Sequence, residues 1–549
     1  MTASTTTDGA VHDHLVIGAG PAGLQLARHL QEAGSRYTVL EAGDAPGTFF
    51  ATFPRHRTMI SSNKPHTGTD DPELNLRMDW NSILSDDPRL LFTRYTERYF
   101  PPADVLRRYL ADFAAISGLD IAYNSRVERI ERPEPGGPFV VTARDGSVRR
   151  AANVVVATGV SQPYIPPIPG IEHAEQYATM PVDPADFTDQ RVLILGKGNS
   201  AFETADNLIE KAAVIHVAGP DGVKLAWKTH YVGHLRAVNN NFLDTYQLKS
   251  QNAILDGTVL DIAPQADGGF LVRFSFVRAD EVVKELYYDR ILCCTGFRLD
   301  TAPFAKECRP ELVINDRFAE LTSAYESVNV PGLYFAGTLM QQRDFKKATT
   351  GFIHGFRYTV RALSRILDQR GTAARAWPSR AVGATPEALA DAVIERVNRS
   401  SALWQQSGFL HDVIVVDGSW DQARYYEEMP LAYIHESEIG QSGHYYTISL
   451  ELGKVEGDPF AIVRNPEPGK AEESVFLHPV IRRWCGFQLV SERHLLEDLH
   501  GEWKKPEAHI APLRYFFMEQ LLETVDLVAA DLDELPFEEE YPRRLLRIV

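Results

Sequence analysis

A chain of 549 residues, 44% apolar and 24% charged, has the make-up of a globular protein with several domains. Its formal net charge of −18 argues against nucleic acid or an anionic membrane surface as partner. Four cysteines without a C-x-x-C pair build no disulfide framework. With no apolar run near the roughly 18 residues of a membrane span, and no signal-peptide pattern over residues 1–9, the expectation is a cytoplasmic protein.

In chain order, His14-Leu15-Val16-Ile17 reads as a buried strand. Gly18, Gly20 and Gly23 form a G-x-G-x-x-G turn with Pro21 opening a helix, and Tyr37-Thr38-Val39-Leu40 is the next strand, ending on Glu41. The first glycine permits the turn, the second lets the backbone approach a pyrophosphate, and the third lets helix and strand pack. The helix start offers N–H groups to the anion. Glu41 stands where a carboxylate accepts hydrogen bonds from an adenosine ribose. Residues 45–99 are dense in proline, arginine and aromatic side chains, and so long a loop predicts a cover over a ligand. Helical spacing after Pro101-Pro102 predicts a helix over 104–115. An antiparallel ribbon is expected over 127–130, 139–143 and 147–149, with Val127 at its start and a turn at Asp145-Gly146. A separate buried strand then runs from Asn153 into the Thr158-Gly159 turn.

The opening theme repeats at 191–217. Arg191-Val192-Leu193-Ile194-Leu195 is a strand, Gly196, Gly198, Asn199 and Ser200 form a second phosphate-type turn, and Ala201 replaces the third glycine. Two such units predict two nucleotides. The place that matches Glu41 falls at Ala218 or Gly219, with no acid. Lys224, Lys228 and Arg236 follow, which leans towards NADPH, while Asp221 weighs the other way. A second strand ending in Thr-Gly, at Thr295-Gly296, parallels Thr158-Gly159. The pair predicts crossings between a flavin domain and an inserted nicotinamide domain. The adjacent Cys293 and Cys294 read as packed strand cysteines. A strand over 333–336 leads to Gly337, and a helix follows from Gly351, near Phe352, whose N-terminus meets a flavin's pyrimidine edge.

These features resemble the two-dinucleotide-domain flavoproteins, including class B flavin monooxygenases. A closer likeness is to the FAD-dependent oxidoreductase domain-containing flavoprotein of the endoplasmic reticulum and its bacterial relatives. Matching stretches include Phe53-Pro54-Arg55-His56-Arg57, Asp79-Trp80-Asn81-Ser82, Asp244-Thr245-Tyr246-Gln247-Leu248-Lys249-Ser250 and Gly351-Phe352-Ile353-His354-Gly355-Phe356-Arg357-Tyr358. The chain departs by its plain start and by its Leu546-Arg547-Ile548-Val549 tail, which is no retention signal. It also departs at Ile168-Pro169-Gly170-Ile171-Glu172-His173, which only approximates the monooxygenase F-x-G-x-x-x-H pattern. The resemblance implies an α/β fold with two Rossmann-like dinucleotide-binding domains, for FAD and NADP, plus an α+β C-terminal domain that dimerises or roofs the substrate site. The expected divisions are 1–165 and 296–372 for FAD, 166–295 for NADPH, and 373–549 for the C-terminal domain.

The resemblance also places Asn63 and Lys64 at the flavin's reactive edge, as candidate catalytic residues. Without a C-x-x-C pair, a disulfide-reducing flavoenzyme is disfavoured and the electrons are directed to oxygen. The expectation is therefore a monooxygenase using FAD, NADPH and O2, in which a C4a-(hydro)peroxyflavin oxygenates a small polar nucleophile, foremost an amine or amino acid. A non-oxygenating NAD(P)H-dependent reductase or a redox-partner protein is the competing class. Arg55, Arg57, Lys64, Lys228, His230, His234 and Arg236, with Asn239, Asn240 and Asn241, supply more cations than one dinucleotide uses, and so predict an anionic substrate. His411, His435 and His444 have no metal-ligand spacing. In the C-terminal part, Thr385 as cap and Pro386 start a helix, strands are expected over 413–416 and 445–451, and a helix over 510–528.

Overall fold

The computed structural model describes residues 7–248, 251–371, 374–417, 422–441, 443–458, 460–464 and 467–531. Residues 1–6, Lys249, Ser250 and 546–549, which carry features read above, lie outside these. Contacts divide the chain into two units. One runs to Gly68 and again over Met78–Ser364; the other joins Thr69–Arg77 to the chain from Arg365 onward.

The first unit contains two sheets. In one, Thr7–Ile17 lies parallel between Tyr37–Leu40 and Val148–Val156, and Leu333–Phe335 pairs with the far end of Val148–Val156. Tyr37–Leu40 is buried at every position, as a central parallel strand must be. Val148–Val156 is one strand rather than two. Its first half pairs antiparallel with Phe139–Ala143, which itself pairs with Val127–Glu131, and its second half is an interior parallel strand. Helix Pro21–Glu32 follows the first strand and buries Leu24, Leu26, Ala27 and Leu30. Helix Ala103–Ser117 buries Leu106, Tyr109, Leu110 and Phe113.

The other sheet of this unit has Arg191–Leu195 parallel between Val214–Gly219 and Arg290–Cys293. Ala253–Pro264 changes partners midway. It runs parallel to Val214–Gly219 over its first four residues and then antiparallel to Phe270–Phe276, which pairs in turn with Val282–Tyr288. Helix Asn199–Leu208 packs Phe202, Ala205 and Leu208 into a core with Val192, Ile194, Ile215 and Val217. The architecture is thus α/β with two Rossmann-like parallel sheets.

In the second unit an antiparallel six-stranded sheet is ordered Ser379–Gly383, Gln422–Pro430, Leu410–Val416, His444–Glu451, His478–Cys485, Gln488–His494. Helices Pro386–Arg399 and Ala511–Asp531 supply Leu389, Val393, Phe516 and Phe517 to a core with Ile414, Tyr425, Ile448 and Ile481. The Thr385 side chain caps the first of these helices by accepting from the Ala388 N–H at 3.2 Å. Segment Thr69–Arg77 belongs here because Arg77 donates to the carbonyls of Val397 and Ser400 and lies 4.5 Å from the Trp404 ring centre. No described helix is long and apolar enough to cross a membrane.

Candidate active site

The first unit contains a cavity of about 730 Å³ that begins at the first glycine turn. Gly20 is the cap of helix Pro21–Glu32, and a Cβ built there meets no atom within 4 Å, so it would project into the cavity. A Cβ on Gly23 would lie 1.9 Å from the Gly18 carbonyl oxygen, which is the close helix–strand approach the motif serves. The result is a bare backbone cradle at a helix N-terminus, the shape a pyrophosphate requires. Glu41 is 5% exposed. Its Oε2 accepts from the Ala19 N–H at 2.7 Å, and its Oε1 from the Gly43 N–H at 2.9 Å and the Thr48 hydroxyl at 2.8 Å. The carboxylate is thus fixed on the cavity wall with one acceptor site, on Oε2, left for a ribose. Gly18, Pro21, Val127, Thr158, Gly159 and Phe352 line the same cavity. Gly337 is buried beside Ala22, one residue before the cavity-lining Thr338.

Beyond Thr338 and Phe352 the wall becomes aromatic. Trp80 stacks on His354 with ring centres 4.1 Å apart, His354 stacks on Phe352 at 5.9 Å, and the Arg236 guanidinium lies 5.2 Å from the centre of the Trp80 ring. Local bonds hold Trp80 in place. Its N–H donates to the Ser62 carbonyl, the Asp79 carboxylate accepts from the N–H groups of Asn81 and Ser82, and buried Arg357 donates to the carbonyls of Asp79 and Ser82 at 2.9 Å. His354 is 2% exposed, and neither ring nitrogen has a hydrogen-bond partner among the described residues. Burial holds its pKa well below the ordinary histidine value, so the ring is neutral, with one N–H and one lone pair to offer. Orphaned buried polar atoms on a cavity wall fit the polar edge of a bound cofactor or substrate.

Asn63 and Lys64 are placed differently from these wall residues. Asn63 is 1% exposed, its Nδ2 donates to the carbonyls of Thr96 at 2.7 Å and Arg98 at 3.2 Å, and its neighbour Ser61 lines the cavity in its stead. The Lys64 side chain is exposed. Trp80 and His354 stand outside the candidate site residues of the sequence, although both lie inside stretches that carry the family likeness. An aromatic side chain inside an Asp-x-Asn-Ser turn and a histidine at a helix start were the available signals.

The second turn, Gly196 to Ser200, opens helix Asn199–Leu208. Asn199 ties down the segment that carries Arg236. Its Nδ2 donates to the carbonyls of Gly233 and His234, and its Oδ1 accepts from the Arg236 N–H at 3.0 Å and from Asn239 Nδ2 at 3.2 Å. Lys197 reaches the end of the next strand, where the sequence places no acid, donating to the carbonyls of Gly219 and Asp221 and pairing with Asp256. Lys224, Lys346 and Arg317 have no carboxylate within ion-pair distance among the described residues. Burial first, and the charges of Lys224 and Arg317 next, push the Lys346 pKa down. Crowded, unpaired cations beside a dinucleotide turn suit an anion.

A buried junction links the flavin-side loop to this second helix. Tyr177 donates to Glu203, accepts from the Arg55 N–H at 3.2 Å, and stacks on Phe53 with ring centres 5.7 Å apart. Burial raises the Glu203 carboxyl from 4.5 to about 7. The folded chain therefore holds a proton that the unfolded chain releases, and stability falls as pH rises from about 4.5 to about 7. Glu203→Gln, which can still accept from Tyr177, should stabilise the protein by on the order of 2 kcal/mol above about pH 7 and hardly at all near pH 4. Thermal melts at both pH values check this; an equal shift at both would contradict it.

A model of the pyridine nucleotide-disulphide oxidoreductase family matches residues 15–337. FAD-dependent oxidoreductase domain-containing protein 2 of Mus musculus is 38% identical over 563 aligned positions, which cover 93% of this chain and 84% of the mouse protein. Flavin-containing monooxygenase FMO GS-OX-like 9 of Arabidopsis thaliana is 30% identical over 236 positions, 37% of this chain and 49% of the plant protein. Among solved structures, a flavin-containing monooxygenase from Stenotrophomonas maltophilia superposes with a TM-score of 0.50 at 21% identity, covering 66% of this chain and 99% of that one, and shares its fold.

Proposed function

The chain belongs to the pyridine nucleotide-disulphide oxidoreductase family, and from that premise we propose that it is an NADPH-dependent monooxygenase that oxygenates a small polar nucleophile, foremost the nitrogen of an amine or amino acid. Its cofactors are FAD and NADP(H), and the glycine cradle, Glu41 and the second turn fit them. The observation that carries the oxygenase reading is the wall of the cavity at its aromatic end. Trp80, His354 and Phe352 form it, Phe356, Met59 and Ile60 line the same cavity, and no cysteine does, whereas disulfide reduction needs a thiol pair there. Such a wall excludes water and so protects a reactive oxygen species from wasteful breakdown.

The chemistry supplied by bound FAD is hydride acceptance from NADPH and then activation of O2. The protein's part is to bind and orient. Gly18, Gly20 and Glu41 would hold FAD, while the helix start at Asn199 and the cations around Lys224 would hold NADPH. Neutral His354 offers a hydrogen bond at the reacting end without adding charge. A substrate amine attacks only as the free base, so turnover should rise with pH through the amine's effective pKa.

Oxygen uptake measured with NADPH across amino acids, amines, thioethers and ketones tests this reading. Coupled uptake with amino acids or amines is expected, at least about tenfold faster with NADPH than with NADH, and Lys224→Met should narrow that preference. Coupling with ketones or sulfides alone would contradict N-oxygenation. The mouse relative, similar through the second unit as well, is named only as an oxidoreductase. That name fits equally a second reading, a non-oxygenating NAD(P)H-dependent reductase or redox-partner protein.

A further inference from the structure

Seven cationic side chains in the sequence suggest an anionic ligand, and the structure sorts them. Arg55 donates to the Met180 carbonyl at 2.6 Å. Arg57 pairs with Asp104 at 2.7 Å and donates to the Phe50 carbonyl. His234 pairs with the Thr229 hydroxyl. Lys64, Lys228 and His230 are exposed. Only Arg236 of the seven lines the cavity. Among the described residues its guanidinium has neither a hydrogen-bond acceptor nor a carboxylate partner; it rests on Trp80, and burial lowers its pKa. A half-buried guanidinium with unused donors leaves a desolvation cost that an incoming anion relieves.

Two anions compete for that role, a phosphate of a dinucleotide and a carboxylate of the substrate. The pyrophosphate cradle of the first turn adjoins Ala157, whereas Arg236 shares its aromatic wall with Trp80, His354 and Phe352. On the side of the second nucleotide turn, Lys224 and Lys346 have no carboxylate within ion-pair distance among the described residues, and Lys224 and Asp221 both act on Lys346. The Arg236 guanidinium, 5.2 Å from the centre of the Trp80 ring, is a planar fork, which matches a planar carboxylate in two parallel hydrogen bonds.

We propose that Arg236 anchors a carboxylate of the substrate, so that the site takes amino acids or other carboxylated amines and discriminates against amines that lack a carboxylate. This rests on the monooxygenase reading only for the word substrate; the anion subsite stands or falls by itself. Trp80 is its positioning residue. The aromatic surface beside the guanidinium suits an apolar or aromatic body on the same ligand.

The test is isothermal calorimetry of the oxidised, FAD-loaded protein with benzoate and with its neutral isostere benzamide, and NADP+ titrated in parallel. Benzoate is expected to bind and benzamide to bind much more weakly. Arg236→Gln should weaken benzoate by about tenfold to a hundredfold, and Arg236→Lys, which keeps charge but loses the fork, by several-fold. NADP+ affinity should change by less than about twofold and flavin content should hold. If the glutamine variant loses flavin, the lysine variant decides. Benzoate binding that is absent from the wild type, or unmoved by both variants, overturns the proposal; so does a loss of NADP+ affinity as large as that of benzoate, which would assign Arg236 to the dinucleotide. Benzoate anchored as expected with no oxygenation of any amine would leave the subsite intact and sink the monooxygenase reading. Amino acid oxygenation without any response to Arg236 would do the reverse.

Discussion

Gly20→Val should yield a folded, colourless protein. The Gly20 backbone is extended, at φ −74° and ψ −179°, a conformation any residue adopts, and a Cβ there meets nothing of the protein within 4 Å. The apo fold therefore gains no clash, while the valine methyls occupy the path along which the pyrophosphate must approach the helix start. FAD affinity should fall by at least about a hundredfold, some 2.8 kcal/mol or more. Gly23→Ala makes the contrast. Its methyl would sit 1.9 Å from the Gly18 carbonyl oxygen, so the turn must open, and folding itself should lose about 3 kcal/mol or more. Flavin absorbance per chain, read together with a thermal melt, separates the two. Full flavin occupancy in Gly20→Val would remove the first turn from the FAD site.

Glu41→Ala should damage both the fold and the flavin site. Its carboxylate accepts from two backbone N–H groups and one hydroxyl in a spot only 5% exposed. Truncation leaves the N–H groups of Ala19 and Gly43 unpaired, at about 1–3 kcal/mol each, and removes the group placed for the ribose. Glu41→Gln keeps the shape but turns one acceptor into a donor facing another donor, so it too should destabilise, by about half as much. Melting temperature and the FAD dissociation constant should worsen together in both variants; a Gln variant with wild-type FAD affinity would contradict the assigned role.

The first strand–turn–helix–strand unit was legible because its signal is local: apolar runs, three spaced glycines and one acid within 28 residues. Val148–Val156 reads as two pieces because its polar–apolar pattern changes where its pairing changes, from a half flanked on one side by the antiparallel Phe139–Ala143 to a buried half flanked by parallel strands. Ala253–Pro264 switches partners in the same way and, with Phe270–Phe276 and Val282–Tyr288, was not read at all. The attachment of Thr69–Arg77 to the second unit depends on carbonyls of Val397 and Ser400 over 300 residues away, which no local pattern announces. The aromatic wall is likewise long-range, because Trp80, Arg236 and His354 come from three distant segments. The Asn63 amide donates to the carbonyls of Thr96 and Arg98, contacts more than 30 residues away that no local pattern announces.

The most direct measurement is turnover with NADPH and an amino acid under isotopically labelled dioxygen, with the product analysed by mass spectrometry. The account predicts one labelled oxygen atom in each product molecule and the other in water, with NADPH and O2 consumed one to one. Label absent from every product, with NADPH oxidised at the same rate when O2 is replaced by a disulfide or quinone acceptor, would contradict it and make the protein a reductase.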